Sequence, residues 1–400
     1  MAKTKILIIG AGYAGITTAL KLQKKITKDD VELILVNKHD YHYQTTWLHE
    51  NAVGVRTDKQ TMIPIKELID QSNVTFIKDT VTALEIKQKK VQLTKSALYY
   101  DYLVVALGFE VDTSQIPGLE KYAFTLGTLE QASLLRDQLE MQLTSFNKRH
   151  TNSPLTIVIG GGGFTGVVYL GELVNRLPAL CERYNLDQSD VKIIAVEKEP
   201  SVMPDFDPEL GEYAMQYLEA KGVEFRLGTM VKKVESDRVI VEKAGRVEEI
   251  RSPLLVWSAG VRANRLIEES DIPDKNGSVE VRDDLSAPGY NDIFVIGDCA
   301  AVYPEDSATA YRATAQIAIQ QAKICASNLV KIVNDEQNLD AFHFNDPGTI
   351  ASLGRKDAIG IISNNKKIFG STASILKKLN DNRILYQIGG LSLLIKKRKL

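Results

Sequence analysis

A glycine pattern that occurs twice constrains the fold of this chain more than any other feature. The segment ILIIGAGYAG places Gly10, Gly12 and Gly15 in G-x-G-x-x-G spacing, and the segment that starts at residue 160 repeats this spacing. The first pattern follows an apolar run typical of a buried parallel strand and precedes a stretch, ITTALKLQKKI, with helical spacing of apolar residues. Glycines in this setting permit a tight turn and a close approach of a pyrophosphate to the backbone. The sequence therefore predicts two dinucleotide-binding folds.

The residue that ends the second strand of each fold should contact the nucleotide ribose. In the first fold that place is taken by Asn37 and Lys38, where an acidic residue is commoner. In the second fold the strand DVKIIAVEK ends in Glu197. A carboxylate accepts both ribose hydroxyls and repels a 2′-phosphate, so Glu197 favours NADH over NADPH. The alternative is a surface glutamate that follows a strand.

A late strand predicts how the two folds are connected. NDIFVIGDCA, far from the first pattern, is an apolar strand that ends in Gly297 and Asp298, and we interpret it as the last strand of the first fold. LVVALGF (103–109) and LLVWSAGVRAN (254–264) are interpreted as crossings between the folds. The predicted class is α/β, with two Rossmann-like nucleotide-binding domains, the second inserted into the first, plus a C-terminal membrane-associating segment. The predicted bounds are 1–112 with 285–335 for the FAD domain, 113–284 for the NADH domain and 336–400 for the C-terminal region.

Composition excludes several other classes of protein. The net charge of −2 in 400 residues gives no reason to expect a nucleic-acid partner. No window has 18 consecutive apolar residues, so we expect no membrane-spanning helix, and the N-terminus enters a strand directly, so we expect no signal peptide. The three cysteines are widely separated and the five histidines lack the spacing of a metal site, so neither a disulfide framework nor a metal is expected. Redox chemistry must then come from a bound cofactor.

The motifs together resemble those of the type II NADH dehydrogenases, single-subunit NADH:quinone oxidoreductases of bacterial respiratory chains that do not pump protons. The resemblance runs nearly end to end, through GAGYAG, NKHDYHYQTTWLHE, LVVALGF, GGGFTG, WSAGVR, IFVIGDCA and TAQIAIQQA. The glycine motifs are generic to flavoproteins, whereas YHYQTTWLHE and TAQIAIQQA are more specific to this family. The resemblance implies FAD and NADH as cofactors, a membrane quinone (menaquinone in our expectation) as acceptor, a homodimer, and a peripheral position on the cytoplasmic face of the cell membrane.

The resemblance also implies site residues. The predicted FAD contacts are Gly10, Ala11, Gly12, Tyr13, Ala14, Gly15, Asn37, Lys38, Thr45, Val81, Gly108, Gly297, Asp298, Ala315, Gln316 and Lys377. The predicted NADH contacts are Gly161, Gly163, Phe164, Thr165, Gly166, Glu197 and Gly260. Gln316, Ile319 and Gln320 share one face of a predicted helix by i, i+3, i+4 spacing, and in the family that face borders the quinone. Without the resemblance, this helix would be interpreted as plain core.

One position departs from the family pattern. Family members usually carry an acidic residue two positions after the last glycine of the second pattern, where it is implicated in quinone binding and proton delivery, and here that position is Val168. Glu172 follows one helical turn later, matches another family glutamate and is the predicted catalytic residue of this chain. The departure leaves the NADH half-reaction intact and predicts an impaired quinone half-reaction.

The last 35 residues form a basic tail with nine Lys or Arg residues and one Asp. Its apolar clusters are too short and too interrupted to span a bilayer, but a helix with Leu and Ile on one face and Lys on the other can lie in the interface. Each basic residue near an anionic leaflet is worth about 1 kcal/mol, so the tail predicts membrane attachment. The alternative is a solvated basic tail.

Two other functions fit the same fold. A sulfide:quinone oxidoreductase needs catalytic cysteines near the flavin, and Cys181, Cys299 and Cys325 do not match such a set. An NADH-responsive flavoprotein sensor would bind both cofactors without rapid turnover. NADH oxidation with a soluble quinone separates this sensor from an enzyme.

Overall fold

The computed structural model describes most of the chain. The described residues are 3–26, 29, 31–149, 153–275, 277–304 and 307–398. Lys399 and Leu400, the end of the predicted basic tail, lie outside them.

The first glycine pattern belongs to a parallel sheet of five strands. In spatial order they are Ile293–Val295, Tyr102–Val105, Thr4–Ile9, Val31–Asn37 and Val74–Lys78. Ile6 to Ile9 are fully buried, as expected for a parallel strand covered on both faces. The chain leaves this sheet after Val105 and returns to it only at Ile293, which is the connection predicted for an inserted second fold.

The second glycine pattern belongs to another parallel sheet of five strands. In spatial order they are Ala123–Thr125, Leu254–Trp257, Leu155–Gly160, Val191–Val196 and Val223–Arg226. The prediction of two Rossmann-like sheets is confirmed. The first segment interpreted as a crossing ends at Phe109, where the strand Phe109–Val111 begins, and the second contains the strand Val261–Ala263. These two strands pair with each other antiparallel.

Smaller sheets accompany the two parallel ones. The three-stranded antiparallel sheets are Val81–Glu85 with Lys90–Leu93 and Ala97–Tyr99, Thr229–Val234 with Arg238–Lys243 and Arg246–Arg251, and Gly348–Ser352 with Ala358–Ile362 and Lys366–Phe369. The two-stranded pairs, besides the crossings, are Tyr41–Tyr43 with Met62–Pro64 and Val279–Glu280 with Ala300–Ala301.

The helices of the described residues are numbered in chain order. They are α1 Tyr13–Leu22, α2 Leu48–Ala52, α3 Asp58–Thr61, α4 Leu119–Tyr122, α5 Leu129–Arg149, α6 Phe164–Tyr184, α7 Pro208–Glu219, α8 Arg265–Glu268, α9 Ala315–Val333 and α10 Gly370–Lys397. The helix α10 is kinked at Gly390, where φ is 66°. Among the described residues, we find no helix with the length and apolar character that a membrane crossing requires.

Candidate active site

The first glycine turn has the shape of a diphosphate cradle. Gly10 has a φ of +95°, and a Cβ there would lie 2.2 Å from the carbonyl oxygen of Ala106, so only glycine fits. A Cβ on Gly12 would meet no atom within 4 Å. The helix α1 begins directly after Gly12, and no side chain caps it. The backbone N–H groups of its first turn therefore face open space, as an anion site at a helix N-terminus requires.

Asn37 braces this turn. Its Oδ1 accepts a hydrogen bond from the backbone N–H of Ala11 at 3.0 Å, and its Nδ2 donates to the carbonyl oxygen of His39 at 2.8 Å. His42 is buried, and its Nδ1 lies 2.8 Å from the carbonyl oxygen of Ala11. Burial lowers the pKa of His42 to about 4, so the imidazole is neutral at pH 7. Lys38, the other predicted ribose contact, is exposed.

Buried polar atoms beside this turn fit a polar ring system such as that of a flavin. The hydroxyl oxygens of Tyr13 and Thr46 and both amide atoms of Gln44 are buried without a hydrogen-bond partner among the residues that the structure describes. Buried polar groups are normally paired, so four such atoms in one region indicate a polar ligand there. Thr45, a predicted FAD contact, is half-buried next to them and, with Thr46, lies close to the Tyr13 hydroxyl.

The motif that follows connects to the C-terminal helix. The indole Nε1 of Trp47 donates to Oδ2 of Asp381 at 3.1 Å, and Lys377 Nζ lies 2.5 Å from the other oxygen of that carboxylate. The guanidinium of Arg56 lies 4.0 Å from the centre of the Trp47 ring. Lys377, predicted as an FAD contact, is thus brought to the first fold. The sequence reasoning missed Asp381, which no local pattern distinguishes from any other helical aspartate.

Asp298 lies in the short 3₁₀ turn Gly297–Cys299, against the start of α1. A Cβ on Gly297 would lie 3.1 Å from the Cβ of Ala14, and its backbone N–H donates to Gln321 Oε1 at 2.7 Å. Burial raises the pKa of Asp298 from 3.8 to about 6. This carboxyl therefore lies close to the first glycine turn, and its predicted contact with FAD stays a prediction. Gly108 is close by, since its carbonyl oxygen lies 3.2 Å from Cys299 Sγ.

Val81 lies elsewhere, in the first small antiparallel sheet, where it pairs with Leu93 and is half-buried. Its predicted contact with FAD stays a prediction.

The second glycine turn resembles the first, but the carboxylate of Glu197 takes the place of the Asn37 amide. Oε2 of Glu197 accepts the backbone N–H of Gly162 at 2.5 Å, and its Oε1 accepts that of Glu199 at 2.9 Å. Glu197 is buried, whereas a surface glutamate was the alternative interpretation. A Cβ on Gly163 would meet no atom within 4 Å, and no side chain caps α6. This turn therefore also presents free N–H groups.

The other predicted NADH contacts surround this turn. A Cβ on Gly166 would lie 2.0 Å from the carbonyl oxygen of Gly161, so helix and strand pack closely there. Phe164 is half-buried and meets Phe206 edge to face, and Thr165 is exposed. Gly260 lies further off, exposed on the crossing, where its carbonyl oxygen accepts the N–H of Asp112.

The helix predicted to border the quinone is α9. Its first residues, Ala315 and Gln316, are half-buried, and the Thr314 side chain caps it by accepting the N–H of Ile317. Ile319 is buried in the core of the first fold. Gln320 bonds the backbone of Asn345 through both its amide oxygen and its amide nitrogen. Gln320 is thus the side chain of the predicted quinone face that is hydrogen-bonded to the protein backbone.

Val168 and Glu172 are both buried on α6, one turn apart. Val168 packs in the core of the second fold. Oε1 of Glu172 accepts a hydrogen bond from Ser352 Oγ at 3.2 Å and lies 3.9 Å from His49 Nε2. Glu172 is the first acidic residue of α6. The sequence reasoning did not single out His49 as a neighbour of Glu172, since the two are far apart in the chain.

Comparisons with known proteins agree with this geometry. The family model for pyridine nucleotide-disulphide oxidoreductases matches residues 4–322. The chain is 39% identical to the type II NADH:quinone oxidoreductase of Staphylococcus epidermidis and 40% identical to that of Staphylococcus saprophyticus, over 99% of both chains in each comparison.

Solved structures with the same fold are more distant in sequence. The NDH2 of Plasmodium falciparum in complex with NADH matches with a TM-score of 0.87 at 17% identity, over 99% of this chain and 98% of that one. The sulfide:quinone oxidoreductase of Aquifex aeolicus matches with a TM-score of 0.78 at 20% identity, over 96% and 91% of the two chains. At these identities the two likenesses concern the fold.

Proposed function

We propose a reaction for this chain from the premise that it belongs to the type II NADH:quinone oxidoreductase family. The chain binds FAD at the first glycine turn and NADH at the second, and reduces a membrane quinone. Bound FAD would take a hydride from NADH and deliver two electrons to the quinone, while the protein binds and orients the reactants and supplies protons. The choice of menaquinone rests on the resemblance.

The observation that carries this proposal is the pair of uncapped helix N-termini. Both α1 and α6 begin directly after a glycine that faces open space, and each follows the central strand of its own five-stranded parallel sheet. A single such turn would serve one dinucleotide. Two such turns in one chain support one site for NADH, which donates the hydride, and one site for FAD, which passes the electrons on to the quinone.

The decisive experiment follows the flavin in two steps. The purified holoenzyme is mixed anaerobically with NADH, and loss of the oxidised flavin absorbance is recorded. Menadione is then added. Rapid reduction by NADH followed by rapid reoxidation is expected. Reduction without reoxidation would favour the NADH-responsive sensor, and no reduction by NADH would overturn the proposal.

For the quinone half-reaction we propose that Glu172 supplies protons. Val168 has no titratable atom, and Glu172 is the first acid that α6 offers after it. The carboxylate is held by Ser352 and lies beside His49, so its position is defined. A group one turn further along the helix is a less direct proton donor, and this supports slow quinone reduction relative to flavin reduction.

A sulfide:quinone reaction is not supported by the cysteines. Cys181, Cys299 and Cys325 are all free and buried, and burial raises the pKa of each thiol. Nucleophilic cysteines need a lowered thiol pKa and access to the substrate.

For membrane attachment we propose the outer face of α10. Five of its large apolar side chains are more than half exposed: Ile375, Leu379, Tyr386, Leu391 and Ile395. Its inner face, with Ile384, Leu385 and Ile388, is buried in the core of the first fold. A helix held by one face with an apolar opposite face suits insertion into a membrane interface.

The basic tip of α10 contacts other parts of the protein, whereas the prediction was a helix whose basic residues face an anionic membrane. Lys396 Nζ lies 2.7 Å from Glu67, and Lys397 Nζ donates to the carbonyl oxygens of Lys59, Gln60 and Met62. These contacts lie beyond the kink at Gly390 and connect the end of α10 to residues 59–67. Charge reversal of the tip would therefore disturb the fold as well as any lipid contact.

The sharper test of attachment changes the apolar face. The double variant Leu379→Glu with Leu391→Glu should release the holoenzyme from vesicles of phosphatidylcholine with one part in three phosphatidylglycerol, measured by sedimentation. The matched control is Gln387→Glu, an exposed polar position of the same helix. Equal binding by the double variant and the control would contradict the proposal. The homodimer and the cytoplasmic face stay predictions from the resemblance.

A further inference from the structure

Several basic residues of α10, which the sequence assigned to the membrane, are engaged within the protein. Lys377 lies against Asp381, Lys396 lies against Glu67, and Lys397 donates to three backbone carbonyl oxygens. Two of these charges are compensated by a carboxylate, and the third is held against the protein. This helix therefore offers less charge to an anionic surface than its composition suggests.

Three other cations come together from three separate helices, and we call them the cationic patch. Lys21 lies in the last turn of α1, Lys323 lies on α9 and Arg383 lies on α10, and all three residues are exposed. The helix α1 packs against both α9 and α10, which brings the three positions to one side of the first fold. Desolvation at the protein surface, and then the nearby charges of Lys21 and Arg383, lower the pKa of Lys323.

The charges of the cationic patch are not compensated within the described part of the chain. No carboxylate there forms an ion pair with Lys21, Lys323 or Arg383. This is not for want of acids, since the chain has 51 Asp and Glu residues against 49 Lys and Arg residues. Like charges that lie close together repel one another, and an anion from outside the protein would relieve this repulsion.

Arg383 connects the cationic patch to the apolar outer face of α10. It follows Leu379 by four residues and precedes Tyr386 by three, so the three side chains share one face of the helix. Leu379 and Tyr386 are 58% and 57% exposed. When a helix lies in the interface of an anionic membrane, its apolar side chains enter the boundary of the acyl chains while its long cationic side chains reach the phosphate groups.

We propose that Lys21, Lys323 and Arg383 bind the phosphate groups of anionic phospholipids when the outer face of α10 lies in a membrane interface. The guanidinium suits a phosphate through paired N–H donors, and the two ammonium groups act as point charges. A preference for lipid charge would add to the membrane attachment proposed above, on which it rests. Because the patch draws on α1, α9 and α10, lipid bound there would hold the fold that carries the proposed FAD turn against the membrane.

The test measures sedimentation of the FAD-loaded full chain with two kinds of vesicle, pure phosphatidylcholine and phosphatidylcholine with one part in three phosphatidylglycerol. The unmodified protein should bind the anionic vesicles more tightly, and this preference should fade as salt is added. Lys21→Gln, Lys323→Gln and Arg383→Gln should each weaken binding to the anionic vesicles about fivefold and leave binding to phosphatidylcholine unchanged. The matched control, Lys243→Gln, removes an exposed lysine of the second fold and should bind both vesicles like the unmodified protein.

The triple variant of the cationic patch should show no preference for phosphatidylglycerol, and FAD content with a single symmetric elution peak establishes that it is folded. The same preference in the triple variant and the unmodified protein would overturn the proposal, as would an equal loss in Lys243→Gln. Release from anionic vesicles when sodium phosphate replaces sodium chloride at equal ionic strength would identify free phosphate as the ligand and overturn the lipid assignment. Attachment itself is tested separately: if Leu379→Glu with Leu391→Glu still binds phosphatidylcholine vesicles, the apolar face is wrong, while a lost preference for phosphatidylglycerol in the triple variant still supports the cationic patch.

Discussion

The two nucleotide turns of this chain share a backbone and differ in one side chain. In each, the middle residue of the G-x-G triplet donates its N–H to a side chain at the end of the next strand: Ala11 to Asn37 and Gly162 to Glu197. Asn37 is neutral and returns a donor to the His39 carbonyl, whereas Glu197 takes two backbone N–H groups with its two oxygens. Hydrogen bonds to an ionised group are about twice as strong as neutral ones. The second turn thus depends on its bracing residue more than the first does.

This difference assigns two tasks to one carboxylate. Glu197 shapes the turn that is proposed to receive the diphosphate of NADH. In that proposed site, its charge is expected to disfavour a 2′-phosphate on the ribose. Asn37 performs only the first task. A cofactor that stays bound needs no discrimination at every turnover, whereas a substrate dinucleotide does, and this matches a neutral brace at the proposed FAD turn and a charged one at the proposed NADH turn.

The largest expected effect concerns the helices that follow the turns. Val168 occupies in α6 the position that Thr17 occupies in α1, two residues after the last glycine, and both are buried. Val168→Glu restores an acid at this place. It should accelerate reoxidation of reduced enzyme by menadione within the 10²–10⁴-fold range typical of general acid–base assistance, while flavin reduction by NADH stays nearly unchanged. Stopped-flow measurement of the two half-reactions separates the effects.

Val168→Gln is the control for this prediction. It has the size and polarity of glutamate without a proton to release, so it should not accelerate reoxidation. A glutamate variant that retains its FAD yet reoxidises no faster than the glutamine variant would contradict the proton-supply argument.

The next largest effect tests the charged brace directly. Glu197→Ala leaves the N–H groups of Gly162 and Glu199 without their partner. Each hydrogen bond to a charged group is worth about 1.5–3 kcal/mol, so kcat/KM for NADH should fall about 10²-fold. FAD content should stay at the level of the unmodified enzyme. Loss of FAD together with NADH activity would show that the two turns are not independent.

Nucleotide discrimination gives a third, smaller effect. The unmodified enzyme should prefer NADH to NADPH by about tenfold or more in kcat/KM, equivalent to roughly 1.4 kcal/mol. Glu197→Gln keeps an acceptor for the turn and removes the charge, so the preference should narrow. Steady-state kinetics with both nucleotides measure it. Equal use of NADPH by the unmodified enzyme would mean that Glu197 does not face the ribose.

The neutral brace should matter less. Asn37→Ala removes one neutral hydrogen bond to the first turn, worth about 0.5–1.5 kcal/mol, and FAD affinity should weaken only severalfold. Dialysis against dilute FAD, followed by flavin fluorescence, measures the change. If Asn37→Ala lost more FAD affinity than Glu197→Ala loses NADH affinity, the first turn would depend on its bracing side chain more than the second turn does.

The smallest effect concerns Asp298, an acid that belongs to the first turn alone. Because burial raises its pKa to about 6, the folded FAD-free protein favours the protonated carboxyl. The raised pKa of Asp298 contributes to the free energy of unfolding. This contribution is fully present below the unfolded-state pKa of about 3.9 and is lost as the pH rises through the folded-state pKa of about 6.

Asp298→Asn stays neutral at every pH. Its unfolding temperature without FAD should therefore change less between pH 4 and pH 7 than that of the unmodified protein. Parallel pH profiles for the two proteins would indicate that Asp298 is hydrated in the absence of FAD.

The sequence predicted the parts of the site that local chemistry determines. The tight turn at Gly10 and the open approach at Gly12 each depend on residues within one strand–turn–helix unit. Glu197 was predicted at its strand end as a ribose contact, and its hydrogen bond to the turn was not predicted. The helix bounds differed by a few residues, since α1 starts at Tyr13 and ends at Leu22. Helix ends depend on capping and packing, which apolar spacing does not report.

By itself, then, the sequence determined two parallel Rossmann-like sheets and the inserted order of their strands. Only the tertiary structure decided which distant side chains meet. Asp381 reaches Trp47, Gln320 holds the backbone of Asn345, and Glu172 joins His49 and Glu50. Periodicity and turn chemistry act over one or two helical turns, whereas these contacts form because whole elements pack their apolar faces together and bring chain segments far apart in sequence within a few ångströms.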